Sequence, residues 1–164
     1  AVWGTSSGGN AALLMGLTGD DPTFRTEDYS GQSDAVRCVV SCFGPSDLTA
    51  LYRHALTAIT PDALMPIFHG LLGQSGDPDT VMAAMSPVRQ IKAGQAYPPF
   101  LLVHGDADQA VPFEQSVRFY QSLLKAGIDG QMIGVRNAPH EGSFWSQALL
   151  DEITAWLRQQ LADF

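Results

Sequence analysis

A serine at Ser6, aspartates at Asp106 and Asp108, and a histidine at His140 are the residues of this chain whose types and positions could act together chemically. Ser6 lies in Gly4-Thr5-Ser6-Ser7-Gly8, a Gly-x-Ser-x-Gly pattern that marks a sharp turn between a strand and a helix. Glycines on both sides of the serine are expected, because the strained turn leaves no room for neighbouring Cβ atoms. Taken alone, the pattern also suits a Ser/Gly linker, so its weight comes from what stands elsewhere. A serine hydroxyl is a poor nucleophile at neutral pH and needs a base within hydrogen-bond reach. Histidine is the residue type that titrates nearest neutrality. A carboxylate must then hold the imidazole in the right tautomer and stabilise its cation. Asp106 and Asp108 both qualify on chemistry.

Each of these groups follows a segment that reads as a strand. Ala1-Val2-Trp3 is the end of the strand entering the Ser6 turn, and residues 11–17 supply the first turns of the helix leaving it. Gly8, Gly9, Asn10, Ala11 and Ala12 are small enough to let that helix lie close to a sheet. Residues 18–33, rich in Gly, Asp, Ser and Thr, read as a loop. Residues 35–43 form the mostly apolar run of a parallel strand buried on both faces, ended by Gly44-Pro45-Ser46-Asp47. Residues 47–97 are expected to form a helical excursion near the site rather than a separate domain. Leu48-Leu51-Tyr52-Ala55 and Leu64-Ile67-Phe68-Leu71-Leu72 have helical spacing, and a third short helix is expected over 79–85 after the break Gly73-Gln74-Ser75-Gly76-Asp77-Pro78.

Residues 100–104 read as another buried strand, leading into Gly105-Asp106-Ala107-Asp108. Pro112 suits the first position of the next helix, with Glu114 near its positive end. Val117, Tyr120 and Leu124 form that helix's expected apolar face, and Lys125 with Gly127 closes it. Residues 131–136 are a last short strand, and Leu149, Ile153, Trp156, Leu157 and Leu161 stripe a C-terminal helix. This order of elements predicts a parallel sheet with helices on its faces, in which functional groups gather at the carboxyl ends of the strands. His54 and His69 are expected at the surface, His104 in a hydrogen-bonded structural role, Glu141 in solvent, and Trp145 in packing.

A length of 164 residues suffices for one domain with a substantial core, and 45% hydrophobic with 16% charged residues is the balance of a globular protein. A net charge of −8 without any basic cluster argues against a nucleic-acid partner. No apolar run approaches the roughly 18 residues of a membrane span. Cys38 and Cys42, at i and i+4 of an extended segment, would stand about 13 Å apart, too far for a disulfide, and read as buried apolar side chains.

The chain order Ser, Asp, His is that of the α/β-hydrolase fold. Gly4-Thr5-Ser6-Ser7-Gly8-Gly9, Phe43-Gly44-Pro45-Ser46-Asp47-Leu48, Ser86-Pro87-Val88, the run from Pro98 to Asp108, and Val111-Pro112 together resemble α/β-hydrolase esterases. The hormone-sensitive-lipase-like and feruloyl or acetyl-xylan esterase-like groups are the most similar. This resemblance runs from Val2 to about Trp145. It implies the C-terminal half of that fold, as a single catalytic portion over residues 1–164. It also implies that Asp108, the aspartate leading into Val111-Pro112, is the acid, with Asp106 a turn residue. His140 matches the family's histidine, and the backbone N–H of Ser7 matches one oxyanion donor. The implied activity is hydrolysis of a small carboxylic ester through an acyl-Ser6 intermediate, with no metal or cofactor; short-chain or aryl esters are implied in the same way. Prolyl-oligopeptidase-type serine peptidases share this layout and are the alternative, as is a catalytically incomplete hydrolase fragment that self-associates.

Members of the family carry, ahead of the turn, a first half of the sheet and a His-Gly-Gly-type loop that supplies further oxyanion donors. One such donor is worth about two to three orders of magnitude in rate. The N-terminal half of the fold is therefore expected to be absent here. The exposed strand edge is expected to be covered by that half supplied elsewhere or by a second copy in a homo-oligomer. The sequence does not indicate a compartment.

Overall fold

Successive residues of a strand point to opposite faces, so a run such as Phe100-Leu101-Leu102-Val103 needs apolar cover on both sides. In the computed structural model, which describes residues 1–57, 64–73, 76–92 and 94–162, helices supply that cover to a four-stranded parallel sheet. Its strands are β1 (Val2–Thr5), β2 (Val39–Cys42), β3 (Phe100–Gly105) and β4 (Gly130–Val135), side by side in that order. The register pairs Val2 with Val39, Val39 with Phe100, and Phe100 with Gly130.

Helix α1 (Ser7–Thr18) follows β1, and α2 (Leu48–Thr57), α3 (Met65–Leu72) and α4 (Pro78–Ala84) lie between β2 and β3. Helix α5 (Glu114–Lys125) connects β3 to β4, and α6 (Gln147–Gln160) closes the described chain. Val40, Cys42, Leu101 and Val103 pack on one face against Leu149, Ile153 and Trp156 of α6. Val39, Phe100 and Leu102 pack on the other against Leu13 and Leu17 of α1 and Phe119 and Leu123 of α5. Each such side chain contributes about 1.5–3 kcal/mol of burial. Leu48, Leu51 and Ala55 of α2, Phe68 of α3, Met82 of α4 and Val111 form a third cluster that ties the helical excursion to the loop after β3.

Several boundaries differ from the sequence expectation. Strand β2 starts at Val39 rather than at residue 35, paired there with Phe100, the first residue of β3. Strand β1 begins at Val2 opposite Val39, and β3 is preceded by Pro98-Pro99, which have no N–H to donate. Helix α1 begins at Ser7, not at residue 11, so the small residues after the turn are already helical. Helix α5 starts at Glu114, beyond Pro112, and buries Gln115, Ser116, Phe119 and Leu123 while Leu124 is exposed. The face is turned one residue from Val117, Tyr120 and Leu124 because two polar side chains on it are internal fasteners. Gln115 Oε1 accepts the N–H groups of Ser46 and Asp47, and the Ser116 hydroxyl meets His104. A hydrophobic pattern cannot register such positions.

Gln74 and Ser75, in the expected break between helices, lie outside the described residues. Cys38 and Cys42 are free thiols and fully buried, and His54 and His69 are exposed. Among the described residues, no helix is long and apolar enough to cross a membrane.

Candidate functional site

The carboxyl ends of β1, β3 and β4 deliver three side chains to one point. Ser6, between β1 and α1, has φ 50 and ψ −119, a left-handed conformation that a non-glycine residue holds at a cost of about 1–3 kcal/mol. The turn is pinned on both sides: Ser6 N–H donates to the Cys42 carbonyl at 3.0 Å, and its own carbonyl accepts from Asn10 N–H at 3.0 Å. A Cβ on Gly4 would fall 2.0 Å from the Gly8 carbonyl oxygen, so only glycine fits there. Gly8 itself has open space around a notional Cβ, which corrects the expectation that both flanking glycines are needed for room.

After β3 the chain turns so that the Asp108 carboxylate is buried while Asp106 is exposed. Asp108 Oδ1 accepts from the N–H groups of Ala110 and Val111, both at 2.8 Å. Its Oδ2 accepts from His140 Nδ1 at 2.7 Å and from His104 Nε2 at 3.1 Å. Burial would push this carboxyl up, but the hydrogen bonds from His104, His140 and the Val111 and Ala110 amides outweigh it and hold Asp108 well below the usual carboxylate range. Asp106 points elsewhere, accepting from the backbone N–H of Asn137 at 2.5 Å and so bracing the turn after β4.

That turn carries His140, whose Nε2 lies 2.9 Å from Ser6 Oγ. Because a carboxylate only accepts, His140 Nδ1 carries the hydrogen facing Asp108, and Nε2 is left to accept from the serine hydroxyl. The imidazole packs on Phe43, with ring centroids 4.6 Å apart, and Phe43 is fully buried with a φ of 43. Trp145 packs on Phe43 and Phe144, while its Nε1–H donates to the Glu141 carboxylate at 3.2 Å. Sequence reasoning missed the Phe43 contact, since an apolar residue ending a buried strand carries no mark of it. It also missed that His104 reaches Asp108, although His104 and Asp108 stand at i and i+4.

Ser7 is the first residue of α1, so its N–H has no acceptor inside the helix. A cavity of about 310 Å³ meets Ser6, walled by Leu14, Leu48, Leu51, Phe68, Leu71 and Met85 among others. A larger hollow of about 420 Å³, with His54, Gln115 and Arg118 in its walls, does not reach Ser6. Among the described residues, no group of three or more His, Cys, Asp or Glu is placed to hold a metal ion. A serine whose hydroxyl meets an imidazole already committed to a carboxylate is an arrangement that can generate an alkoxide-like nucleophile and store its proton.

Comparison with known proteins adds a family model, BD-FAE, which matches residues 1–123. Esterase LipC of Mycobacterium tuberculosis is 26% identical over 142 residues, covering 87% of this chain and 34% of that protein. The probable carboxylic ester hydrolase LipM of the same organism is 31% identical over 129 residues, covering 75% of this chain and 27% of that protein. The chain thus spans about a third or less of the length of these curated relatives. A solved structure described as a truncated form of carbohydrate esterase from gut microbiota superposes with a TM-score of 0.75 at 26% identity, covering 97% of this chain and 59% of that one.

Proposed function

The chain belongs to the BD-FAE family, with the α/β-hydrolase fold, and from that premise we propose that it hydrolyses carboxylic esters through Ser6, His140 and Asp108. In this reading residues 1–164 form one catalytic portion roofed by α2 to α4. Ser6 Oγ attacks the ester carbonyl carbon while His140 Nε2 takes the hydroxyl proton. Asp108 keeps Nδ1–H in place and stabilises the imidazolium. The Ser7 N–H donates to the oxyanion of the tetrahedral intermediate. As that intermediate collapses, the C–O bond to the alcohol breaks and His140 returns the proton to the leaving oxygen, giving an acyl-Ser6 ester. Water, deprotonated by His140, then attacks the acyl group and restores the serine. No metal or cofactor enters these steps. The apolar cavity beside Ser6 receives the apolar part of a small ester.

The observation that supports this reading most is the unbroken hydrogen-bonded line from Ser6 Oγ through His140 to Asp108, at 2.9 and 2.7 Å. Hydrolysis of p-nitrophenyl esters by the purified chain, lost in Ser6→Ala, tests it; equal turnover by that variant would refute it. We also propose that a second copy or further strands cover the outer edge of β1, a reading supported by the exposure of Trp3 on β1 and Met15 on α1. Light scattering that returns only monomer, on a chain otherwise active, would contradict self-association.

A further inference from the structure

The Asp108 carboxylate carries one histidine more than a Ser–His–Asp line requires. His104, at the end of β3, is 0% exposed, and its imidazole is held from three directions. Nε2 faces two acceptors, Asp108 Oδ2 at 3.1 Å and the Val111 carbonyl at 3.0 Å, so this nitrogen bears the hydrogen. On the opposite side the Ser116 hydroxyl on α5 meets Nδ1 at 2.7 Å, and the Phe113 ring stands edge-on with centroids 5.7 Å apart. A ring gripped in this way cannot swing to satisfy another partner, and its N–H is aimed at the same oxygen that His140 uses.

We propose that His104 is a positioning residue for this site: its buried Nε2–H fixes Asp108 Oδ2 and shares that oxygen with His140, limiting how strongly the carboxylate supports the imidazolium. The inference rests on the roles proposed above for Ser6, His140 and Asp108. A donor bonded to a carboxylate lowers its basicity, so two donors on one oxygen each receive less from it than one would alone. His140 holds the shorter contact at 2.7 Å, against 3.1 Å for His104, as expected of the partner that gains charge during reaction. Among the described residues, the titratable side chains hydrogen-bonded to Asp108 are His104 and His140. Asp106 is engaged by Asn137 N–H, Glu141 by Trp145 Nε1–H, and Glu114 is exposed on the first turn of α5.

The test is the pH titration of the His140 imidazole followed by NMR, with the pH dependence of fluorophosphonate labelling of Ser6 as a second readout. In His104→Leu, Oδ2 is left to His140, so its midpoint and the acid limb of labelling should both move to higher pH by about half to one unit. His104→Gln, whose amide can present a donor near the Nε2 position, should stay close to the parent. Ser116→Ala loosens the ring from behind and should move the midpoint the same way by less. It is the variant that decides if His104→Leu does not fold. A folded His104→Leu with an unmoved or lowered midpoint would overturn the proposal, as would an unmoved midpoint in Ser116→Ala where that variant decides. Absence of labelling in the parent would instead refute the hydrolase reading, while the NMR titration would still decide the role of His104.

Discussion

Replacing Asp108 with asparagine removes one charge and almost no volume, yet the structure assigns it a large effect. The side chain is 0% exposed, and its two oxygens accept four hydrogen bonds, from Ala110 N, Val111 N, His104 Nε2 and His140 Nδ1. An amide offers a single acceptor oxygen. If that oxygen keeps the backbone pair, the Nδ2 donors confront two histidine N–H groups. His140 can then relieve the conflict only by moving its hydrogen to Nε2, where it points at Ser6 and cannot take the serine proton. A triad histidine trapped in the wrong tautomer costs about 10⁴-fold in kcat, or about 5.4 kcal/mol of transition-state stabilisation. The buried donor conflict should also destabilise the fold by about 1–3 kcal/mol.

The pH dependence of stability carries an independent signature of the same change. Because the folded state holds the Asp108 carboxyl below its ordinary value, it contributes stability that is present above about pH 4 and lost as pH falls below that. Asparagine binds no proton in either state, so this part of the acid slope should vanish. The assays are p-nitrophenyl ester hydrolysis at neutral pH and urea unfolding at several acid pH values. An Asp108→Asn variant within about tenfold of the parent in kcat, or an unchanged acid slope, would refute the reasoning.

Three further outcomes are expected. His140→Ala should lower kcat for ester hydrolysis by about 10²–10⁴-fold, because no base is left to accept the Ser6 proton; turnover close to the parent's would remove His140 as the base. Gly4→Ala should fail to fold or lose several kcal/mol by thermal melting, since its Cβ would meet the Gly8 carbonyl at 2.0 Å, whereas Gly8→Ala, with open space, should melt close to the parent. Burial pushes the Cys42 thiol up to about 11, against the lowering effect of the Trp3 N–H. The folded state therefore keeps its proton where the unfolded chain loses it, and stability should fall by about 2–3 kcal/mol as pH rises from about 9 to about 11. Cys42→Ala should flatten that decline in denaturant titrations.

The centre of the sheet was legible because β2 and β3 are short, mostly apolar runs, buried at every residue, that only a doubly covered sheet can bury, and because β-strand ends coincide with the polar residues of interest. Gly4-Thr5-Ser6-Ser7-Gly8 pointed to a strained turn, and Ser6 does hold a φ of 50. The structure brings Ser6, Asp108 and His140 within hydrogen-bond distance and turns Asp106 to another task. What stayed illegible depends on partners distant in the chain. Gln115 and Ser116 look like solvent-facing residues until Ser46, Asp47 and His104 arrive from other elements, so an apolar pattern alone places the buried face of α5 one position off. The start of β2 at Val39 depended on its pairing with Phe100 of β3, a tertiary fact. Phe43 is an ordinary strand residue in sequence, and its left-handed backbone and contact with His140 follow only from the assembled site.

The claim that Ser6 is an activated nucleophile is tested most directly by intact mass spectrometry of the chain before and after a fluorophosphonate probe, with peptide mapping of the adduct. A single adduct located on Ser6, and absent from Ser6→Ala and from a chain unfolded before labelling, is the predicted result. No adduct on the folded chain, or an adduct on another residue that persists in Ser6→Ala, would contradict the account.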